Sequence, residues 1–364
     1  MKRMNYVAVF MLVFAILGAL DRIFGNRFGL GLQFEKGFML LGTMALSMIG
    51  MIVLAPGIAV LLSPLCDFFA KVLHVEPSIL AAIFLANDMG GAPLAESIAV
   101  DPSLGMFNAL VVSSMMGATV SFTLPYALGV VKREKQKKML LGFLYGIVTV
   151  PIGCLAAGLV LRLPIGALLL DLLPLMLVSV LIAVGLMLRP SLCVRIFSIL
   201  GVIIKILITI GLLLGMIRFL TGYELIRGLA TLEEGAMICV NAAVVMAGAF
   251  PFLHLLSKLL ARPMRAFGRL LGVNQTSALG FISTLATNVT TLEMVNEMDD
   301  HGAVLNSAFA VSAAFTFAGH LAFTMAYDSA YLFPMILAKL VAGVSAVALA
   351  VLLERKKAQR NTSL

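Results

Sequence analysis

Long uncharged apolar segments constrain this chain more than any other feature. Three examples are residues 38–65, 102–131 and 139–161. About 20 helical residues are enough to cross the ~30 Å hydrocarbon layer of a bilayer. Membrane barrels instead use strands of about ten alternating residues, so continuous apolar segments of this length exclude a barrel. Because 61% of all residues are hydrophobic, the sequence predicts an all-α polytopic membrane protein.

The hydrophobic segments form two similar sets. Eleven elements cover residues 5–25, 38–65, 78–98, 104–131, 139–161, 165–188, 196–219, 235–257, 276–293, 303–327 and 331–353. Residues 85–91 in the first set resemble 285–291 in the second, and 108–114 resemble 306–312. Matched polar breaks at a long period are typical of transporters built from two repeats. The predicted organisation is a first repeat at 1–162, a connector helix at 163–190, a second repeat at 191–354 and a basic cytoplasmic tail at 355–364.

The third and ninth elements, near 78–98 and 276–293, are predicted to be re-entrant or broken helices. In the third, Asp88 is followed by Gly90, Gly91 and Pro93, which interrupt a helix. If neither element crosses fully, nine crossings remain and the connector helix inverts the second repeat.

The distribution of basic residues favours this inverted arrangement. It puts three basic regions in the cytoplasm, as the positive-inside rule requires: the loop at 132–138, the predicted loop carrying Lys258, Arg262, Arg265 and Arg269, and the tail from 354. With eleven full crossings, three crossings would lie between the second region and the tail, which would place these two regions on opposite sides of the membrane. The nine-crossing arrangement also predicts Arg189 and Arg195 inside, Asp328 outside, and an external N-terminus bearing Lys2 and Arg3.

Composition and motifs argue against several other functions. The net charge of +8 arises from short segments between helices, which indicates membrane orientation and no nucleic-acid partner. The four cysteines are isolated and show no metal-ligand spacing, so we expect them to pack as small apolar residues. The chain has no HExxH, GxSxG, phosphate-loop or dinucleotide motif. We therefore expect no catalytic residues, no cofactor and no metal ion.

Asp88 is the foremost candidate for chemistry. A charge at mid-membrane costs ~2.5–3.5 kcal/mol on insertion scales, so a charged residue there indicates a functional or structural role that offsets this cost. Beside Asn87 and two glycines, its carboxylate can hold an ammonium ion or another small cation, or relay a proton. The structural alternative is an interfacial residue that caps a short helix.

Asn288 occupies the equivalent position in the second repeat, next to Thr287, Thr290 and Thr291. These amide and hydroxyl groups suit a polar solute or a partly dehydrated sodium ion, although they also bend helices and join them. One carboxylate opposite an uncharged polar set suits a singly charged cation with a polar tail.

Other polar residues complete the predicted substrate-binding set. Ser113, Ser114, Asn306 and Ser312 lie on the fourth and tenth elements, where small residues also allow close helix packing. His320 can couple protons, contact substrate or bond across helices. Two further charges, Lys205 and Asp171, also lie inside apolar elements. Lys205 can neutralise a carboxylate or extend to the interface, and Asp171 lacks the sequence context of an intramembrane aspartyl protease.

Several motifs together resemble the bacterial ethanolamine transporters of the ethanolamine-utilisation system. They are residues 86–91 (Ala-Asn-Asp-Met-Gly-Gly), 272–274 (Gly-Val-Asn), 285–288 (Leu-Ala-Thr-Asn) and 309–315 (Phe-Ala-Val-Ser-Ala-Ala-Phe). The resemblance implies a bacterial inner-membrane permease that imports ethanolamine, which the cell uses for carbon and nitrogen. The chain departs from the family pattern at Asn87, where a cysteine is common, and at Gly319, where an aspartate often precedes the histidine.

The leading hypothesis is ethanolamine uptake by alternating access or facilitated diffusion. Asp88 would bind the ammonium group, and Asn87, Asn288, Thr287 and Thr291 would orient the hydroxyl end. One alternative is a sodium or proton antiporter that uses the Asn87–Asp88 pair, and another is a membrane scaffold or sensor without transport. The expected partners are ethanolamine and membrane lipid, with a homodimer as an open alternative.

Overall fold

The structure is a computed structural model that describes residues 6–362. Of these residues, the side chains at 6, 194, 261–262, 264–265, 267 and 356–362 are not described. The predictions for Lys2, Arg3, the side chains of Arg262 and Arg265, and the tail beyond residue 355 therefore lie outside the described residues.

Within residues 6–362 the regular secondary structure is entirely helical, which confirms the all-α fold class. The helices are α1 Tyr6–Ile23, α2 Leu30–Phe68, α3 Ser78–Phe84, α4 Gly91–Ile98, α5 Pro102–Phe107, α6 Leu124–Val130, α7 Arg133–Val160, α8 Ile165–Leu188, α9 Pro190–Thr221, α10 Leu232–Leu271, α11 Gln275–Ala286, α12 Asn288–Met294, α13 Asp300–Ala313, α14 Gly319–Tyr327 and α15 Leu332–Thr362. Wider π-helical turns at Asn108–Gly117 and Thr119–Thr123 connect α5 to α6.

Seven helical segments of the described chain are long and apolar enough to cross a membrane. They are Leu30–Leu73, Pro102–Val130, Arg133–Val160, Ile165–Leu188, Pro190–Thr221, Leu232–Leu260 and Ser329–Arg355. The chain is therefore a multi-pass membrane protein.

Helix α10 continues through the basic stretch 258–269, which the sequence analysis treated as a loop. This expectation was wrong, because charged residues at 3.6-residue spacing continue a helix readily once it has left the hydrocarbon. The helix ends at Gly272, whose φ of +70° is a left-handed conformation that glycine adopts without strain.

Two short helix pairs, α3–α4 and α11–α12, are each interrupted in the middle. Leu85 and Ala86 are extended before the 3-10 turn Asn87–Met89, and Thr287 is extended between α11 and α12. Gly90 has a φ of +94°, and a Cβ atom there would collide with Met51 of α2. A side chain at this position is therefore excluded by both backbone conformation and space. Pro93 lies in the first turn of α4 rather than at the break itself.

Hydrogen bonds join the two ends of each interrupted pair. The Glu76 carboxylate accepts from the backbone amides of Val100 (2.9 Å) and Asp101 (2.8 Å). In the second pair, the Asn274 amide donates to Asp299 at 2.8 Å. Burial raises the pKa of Asp299, but backbone hydrogen bonds from Asn274 and Gly302 outweigh it and lower the pKa overall. Each pair is therefore a helical hairpin whose two ends lie next to each other.

A third interruption separates α13 from α14 at residues 314–318 and corrects the prediction of one continuous element at 303–327. Phe315 has a φ of +60°, and its amide donates to the Thr284 carbonyl at 3.1 Å. The Phe317 amide donates to the Leu285 carbonyl at 3.0 Å. These amides supply hydrogen bonds to carbonyls that α11 leaves without a partner at its C-terminal end. The interruption therefore depends on a tertiary contact, which the local sequence does not indicate.

Helix packing encloses the first hairpin. Helix α2 packs along α10, and α7 packs along α15. Helix α1 contacts α10, while α9 contacts α2. The segment 102–130 is almost completely buried between these helices, so the first hairpin and its neighbours are surrounded by protein.

Candidate functional site

A cavity of about 870 Å³ lies where the interrupted segments meet α2 and α10. Both hairpin breaks contribute, because Asp88 comes from the first and Thr287 from the second. Its polar lining residues are Gln33, Lys36, Thr43, Asp88, His254, Ser257, Ser283, Thr287 and Thr290, and its aromatic ones are Phe122, Phe250 and Phe315. The rest of the lining is mainly aliphatic. Asp88 is the only acid among these described lining residues.

Asp88 is presented by the 3-10 turn between α3 and α4. Its side chain is 33% exposed, and its Oδ1 atom lies 3.9 Å from Nε2 of His320. The ring of Phe315 lies 5.1 Å from the His320 ring, so the residues at the third interruption border the carboxylate. A Cβ atom at Gly319 would lie 3.9 Å from Asp88 Oδ2. This chain therefore leaves open the position from which a second acid would face Asp88.

His320 connects Asp88 to a buried lysine that the sequence analysis missed. Its Nδ1 atom lies 3.0 Å from Nζ of Lys339, and Lys339 also donates to the Ser114 carbonyl at 2.6 Å. The Lys339 side chain has no exposed surface. The sequence signal that could have found it is a single charged residue in the apolar stretch 332–353, because such a residue in a membrane protein is a candidate functional residue.

The remaining predicted residues of the two breaks lie behind the cavity wall. Asn87 is fully buried, and neither its Oδ1 nor its Nδ2 atom has a hydrogen-bond partner within the described chain. Asn288 donates to Thr123 at 2.8 Å, which joins the second hairpin to the segment 102–130. Thr291 accepts from Thr284 at 3.1 Å. Asn288 and Thr291 therefore connect structural elements, although Oδ1 of Asn288 has no partner within the described chain, and Asn87 keeps both its donor and its acceptor free.

The polar residues of the fourth and tenth elements also lie outside the cavity lining. Ser113 donates to the Leu85 carbonyl at 2.6 Å and Ser114 to the Val111 carbonyl at 2.8 Å. Asn306 donates to the Ser277 carbonyl at 2.9 Å. The buried Ser312 hydroxyl has no partner within residues 6–362. Ser113 and Asn306 thus support the two hairpins, and their link to substrate stays a prediction.

The two other intramembrane charges have different surroundings. Lys205 is exposed on α9, on a helix surface away from the cavity lining. Asp171 is buried on α8 and accepts a hydrogen bond from Asn108 at 3.0 Å. Neither residue lines the cavity.

The fold and cavity together define a multi-pass helical membrane protein with an internal cavity that carries one carboxylate. The family model for "Ethanolamine utilisation protein, EutH" matches residues 4–353. The chain belongs to this family, as the sequence motifs indicated.

Relatives from three bacteria resemble the chain over almost its full length, and each bears the name "Probable ethanolamine permease EutH". The Listeria monocytogenes protein is 43% identical, covering 96% of this chain and 94% of its own. The Salmonella typhimurium protein is 37% identical and the Escherichia coli protein 36%, each covering 95% of this chain and 94% of its own. No solved structure matches the chain significantly.

Proposed function

We propose that this protein is a permease that takes up ethanolamine across the bacterial inner membrane. The relatives named as probable ethanolamine permeases are 36–43% identical over most of the chain. The observation that carries the proposal is a single carboxylate, Asp88, in a cavity to which both hairpin breaks contribute. Those names give no support to an antiporter or a scaffold.

The chemistry of the cavity suits ethanolamine. Its ammonium group would pair with Asp88, because a charge-assisted bond in a partly desolvated site is stronger than a neutral one. The hydroxyl end would contact Thr287 or Thr290, which line the cavity. The unpartnered amide of Asn87 adjoins Asp88 and supplies a further donor and acceptor after a small local movement. We expect Asn288, Thr291, Ser113, Ser114, Asn306 and Ser312 to act by holding these groups in place.

Two inverted repeats, at 1–162 and 191–354, would explain the reciprocal packing. Helices α2 and α10 are equivalent in this scheme and pack together, as do α7 and α15. The contact of α1 with α10 has its counterpart in the contact of α9 with α2. Helix α8, within the connector at 163–190, is left over. Such reciprocity is what a pseudo-two-fold axis between two repeats produces, and inverted repeats would place that axis in the membrane plane.

The hairpin ends support opposite orientations in the membrane. The first hairpin ends near Ser103, whose carbonyl accepts from the Tyr331 hydroxyl at 3.3 Å. The second ends near Asn296, which accepts from the Lys132 amide at 2.7 Å. The segment Pro102–Val130 connects these two levels with 29 residues. At about 1.5 Å per residue, that length is sufficient to cross a bilayer.

Nine crossings follow if α1 and the interrupted pair α13–α14 are added to the seven long segments. The basic segment 132–138, which the sequence predicted as a loop, forms the N-cap and start of α7. It then lies in the cytoplasm with the second hairpin's ends, where Lys135 pairs with Asp300 at 2.8 Å. The C-terminal end of α10 lies on that side too, and cavity residues Gln33 and Ser257 lie toward it. The described conformation would therefore be inward-facing, with alternating access from a second state.

Apolar surface on α8 and α9 fits lipid as a partner. Leu177 and Leu188 are 61% and 74% exposed, and Val202 and Leu220 are 58% and 72% exposed. Water would penalise this much apolar area, whereas lipid chains do not. The homodimer stays a prediction.

Cysteine accessibility is expected to distinguish the two membrane sides. In a variant with Cys66, Cys154, Cys193 and Cys239 replaced by alanine, Ser103→Cys should react with an impermeant maleimide in intact cells. Glu297→Cys, at the end of the second hairpin, should react only after the membrane is opened. Labelling of both positions from the same side would contradict the inverted arrangement.

Uptake by purified protein in liposomes tests the function itself. At mildly acidic pH, where almost all ethanolamine is charged, labelled ethanolamine should enter saturably and faster than into protein-free liposomes. Propylamine, which lacks the hydroxyl, should compete weakly, and ethylene glycol, which lacks the ammonium, should not compete. Imposed sodium and proton gradients identify any coupling ion. Ion exchange without ethanolamine flux would support the antiporter, and no flux of any kind would support the scaffold.

A further inference from the structure

A continuous set of three ionisable side chains extends from the cavity into the protein interior. Asp88 faces the cavity, His320 lies 3.9 Å behind it, and Lys339 lies 3.0 Å behind His320. These residues come from the first hairpin, α14 and α15, so the arrangement exists only in the folded protein. Lys339 is fully buried, and burial of an ammonium group is costly unless a counter-charge is near.

The donors and acceptors of these three side chains determine which group donates each hydrogen bond. An ammonium group has only donors, so Lys339 donates to Nδ1 of a neutral His320 and to the Ser114 carbonyl. The neutral imidazole then carries its proton on Nε2, the nitrogen that faces Asp88. The histidine thus presents a donor to the carboxylate at its front and an acceptor to the ammonium behind it.

We propose that Lys339 is the built-in counter-cation of Asp88 and keeps this carboxylate ionised, and hence able to bind an ammonium substrate, in acidic surroundings. The proposal deepens the proposed function and rests on Asp88 as the substrate ligand. Lys339 does not line the cavity, so it is a positioning residue that acts through Asp88 and His320.

The other charges near this set are placed differently. Lys36 and His254 line the same cavity as Asp88, and Lys36 lies 5.1 Å from the centre of the Phe250 ring. On the helices that pack against α15, Lys135 and Lys138 of α7 pair with Asp300 of α13 near the helix ends. Within the described chain, Lys339 is therefore the cation that approaches Asp88 from the protein side.

The test is a titration of Asp88 in the complete protein without substrate. Difference infrared spectra of wild type, recorded against pH, should contain a protonated-carboxyl band that Asp88→Asn removes. In Lys339→Met this band should appear at higher pH. Without the nearby ammonium charge, the ionised Asp88 carboxylate is less stable, so it takes up a proton at higher pH. A unit charge roughly 9 Å away at an effective dielectric constant near 20 corresponds to a shift of about one pH unit.

Ethanolamine binding gives a second, functional measurement. In wild type, ethanolamine affinity should decline at low pH as Asp88 is protonated. In Lys339→Met this decline should shift to higher pH by the same amount, so that affinity falls about tenfold at acidic pH and little at neutral pH. Lys339→Arg retains the charge, so its affinity should decline at the same low pH as that of wild type. Lys205→Met is the matched control, because it removes an exposed lysine from membrane helix α9.

Different results would contradict the role of Lys339 as counter-cation and the role of Asp88 as substrate ligand. An unchanged Asp88 band in a folded Lys339→Met or Lys339→Gln protein would overturn the counter-cation role, as would an equal loss of affinity at all pH values. Wild-type ethanolamine binding by Asp88→Asn would instead overturn Asp88 as the substrate ligand. The substrate-free infrared titration would still decide what Lys339 does to Asp88.

Discussion

Asp88→Asn is expected to lower the initial rate of ethanolamine uptake roughly 30-fold or more. Loss of one partner from a desolvated charge pair costs about 2–5 kcal/mol, and each 1.4 kcal/mol is about a factor of ten in affinity. Asn retains the size of Asp but not its charge, so an ammonium ion in the cavity would lose its only acidic partner among the described lining residues. Uptake into liposomes at low substrate concentration measures the effect.

Asp67→Asn provides a matched control for this substitution. Asp67 carries the same functional group, but it is exposed and pairs with Lys71 at 3.0 Å, and exposed pairs of this kind contribute little. Its uptake should equal that of wild type. Because the Asp88 side chain is partly exposed and accepts few structural hydrogen bonds, Asp88→Asn should also fold normally. Folded Asp88→Asn protein with wild-type uptake would contradict the site.

Gly117→Val is expected to abolish uptake and to lower the melting temperature. A Cβ atom at Gly117 would fall on the Leu85 carbonyl oxygen, in the break immediately before Asn87 and Asp88. Backbone at this point cannot move aside easily, because Leu85 also accepts the Ser113 hydroxyl at 2.6 Å. Overpacking of this kind costs about 1–3 kcal/mol or more. The strain would displace the turn that presents Asp88 to the cavity.

Gly129→Val is the control on the same segment. Nothing lies within 4 Å of a Cβ atom built at Gly129, and Gly129 is helical like Gly117. The two substitutions therefore carry a similar helix-propensity change but differ in the close approach to the hairpin. Equal effects of both substitutions on uptake and melting temperature would show that the approach to Leu85 is unimportant.

Much of the architecture could be predicted from local patterns. Apolar segment length determines that a helix can cross a bilayer, and glycines beside a lone aspartate indicate an interrupted helix, so the membrane class and the break near Asp88 followed directly. The break near Thr287 was indicated by the resemblance of residues 285–291 to residues 85–91. The interruption at Phe315 did not. It depends on hydrogen bonds to Thr284 and Leu285, which lie about 30 residues earlier and have no counterpart in a local signal.

The candidate site divides in the same way. The sequence by itself determined that Asp88 and Thr287 are polar groups in apolar elements, and it predicts that the two breaks correspond. Only the tertiary structure decided that both reach one cavity, that Asn288 and Thr291 face neighbouring helices, and that Lys339 lies behind His320. The reason is physical. Burial cost is a property of each residue in its segment, whereas the direction of a side chain and the identity of its partner depend on how distant helices pack.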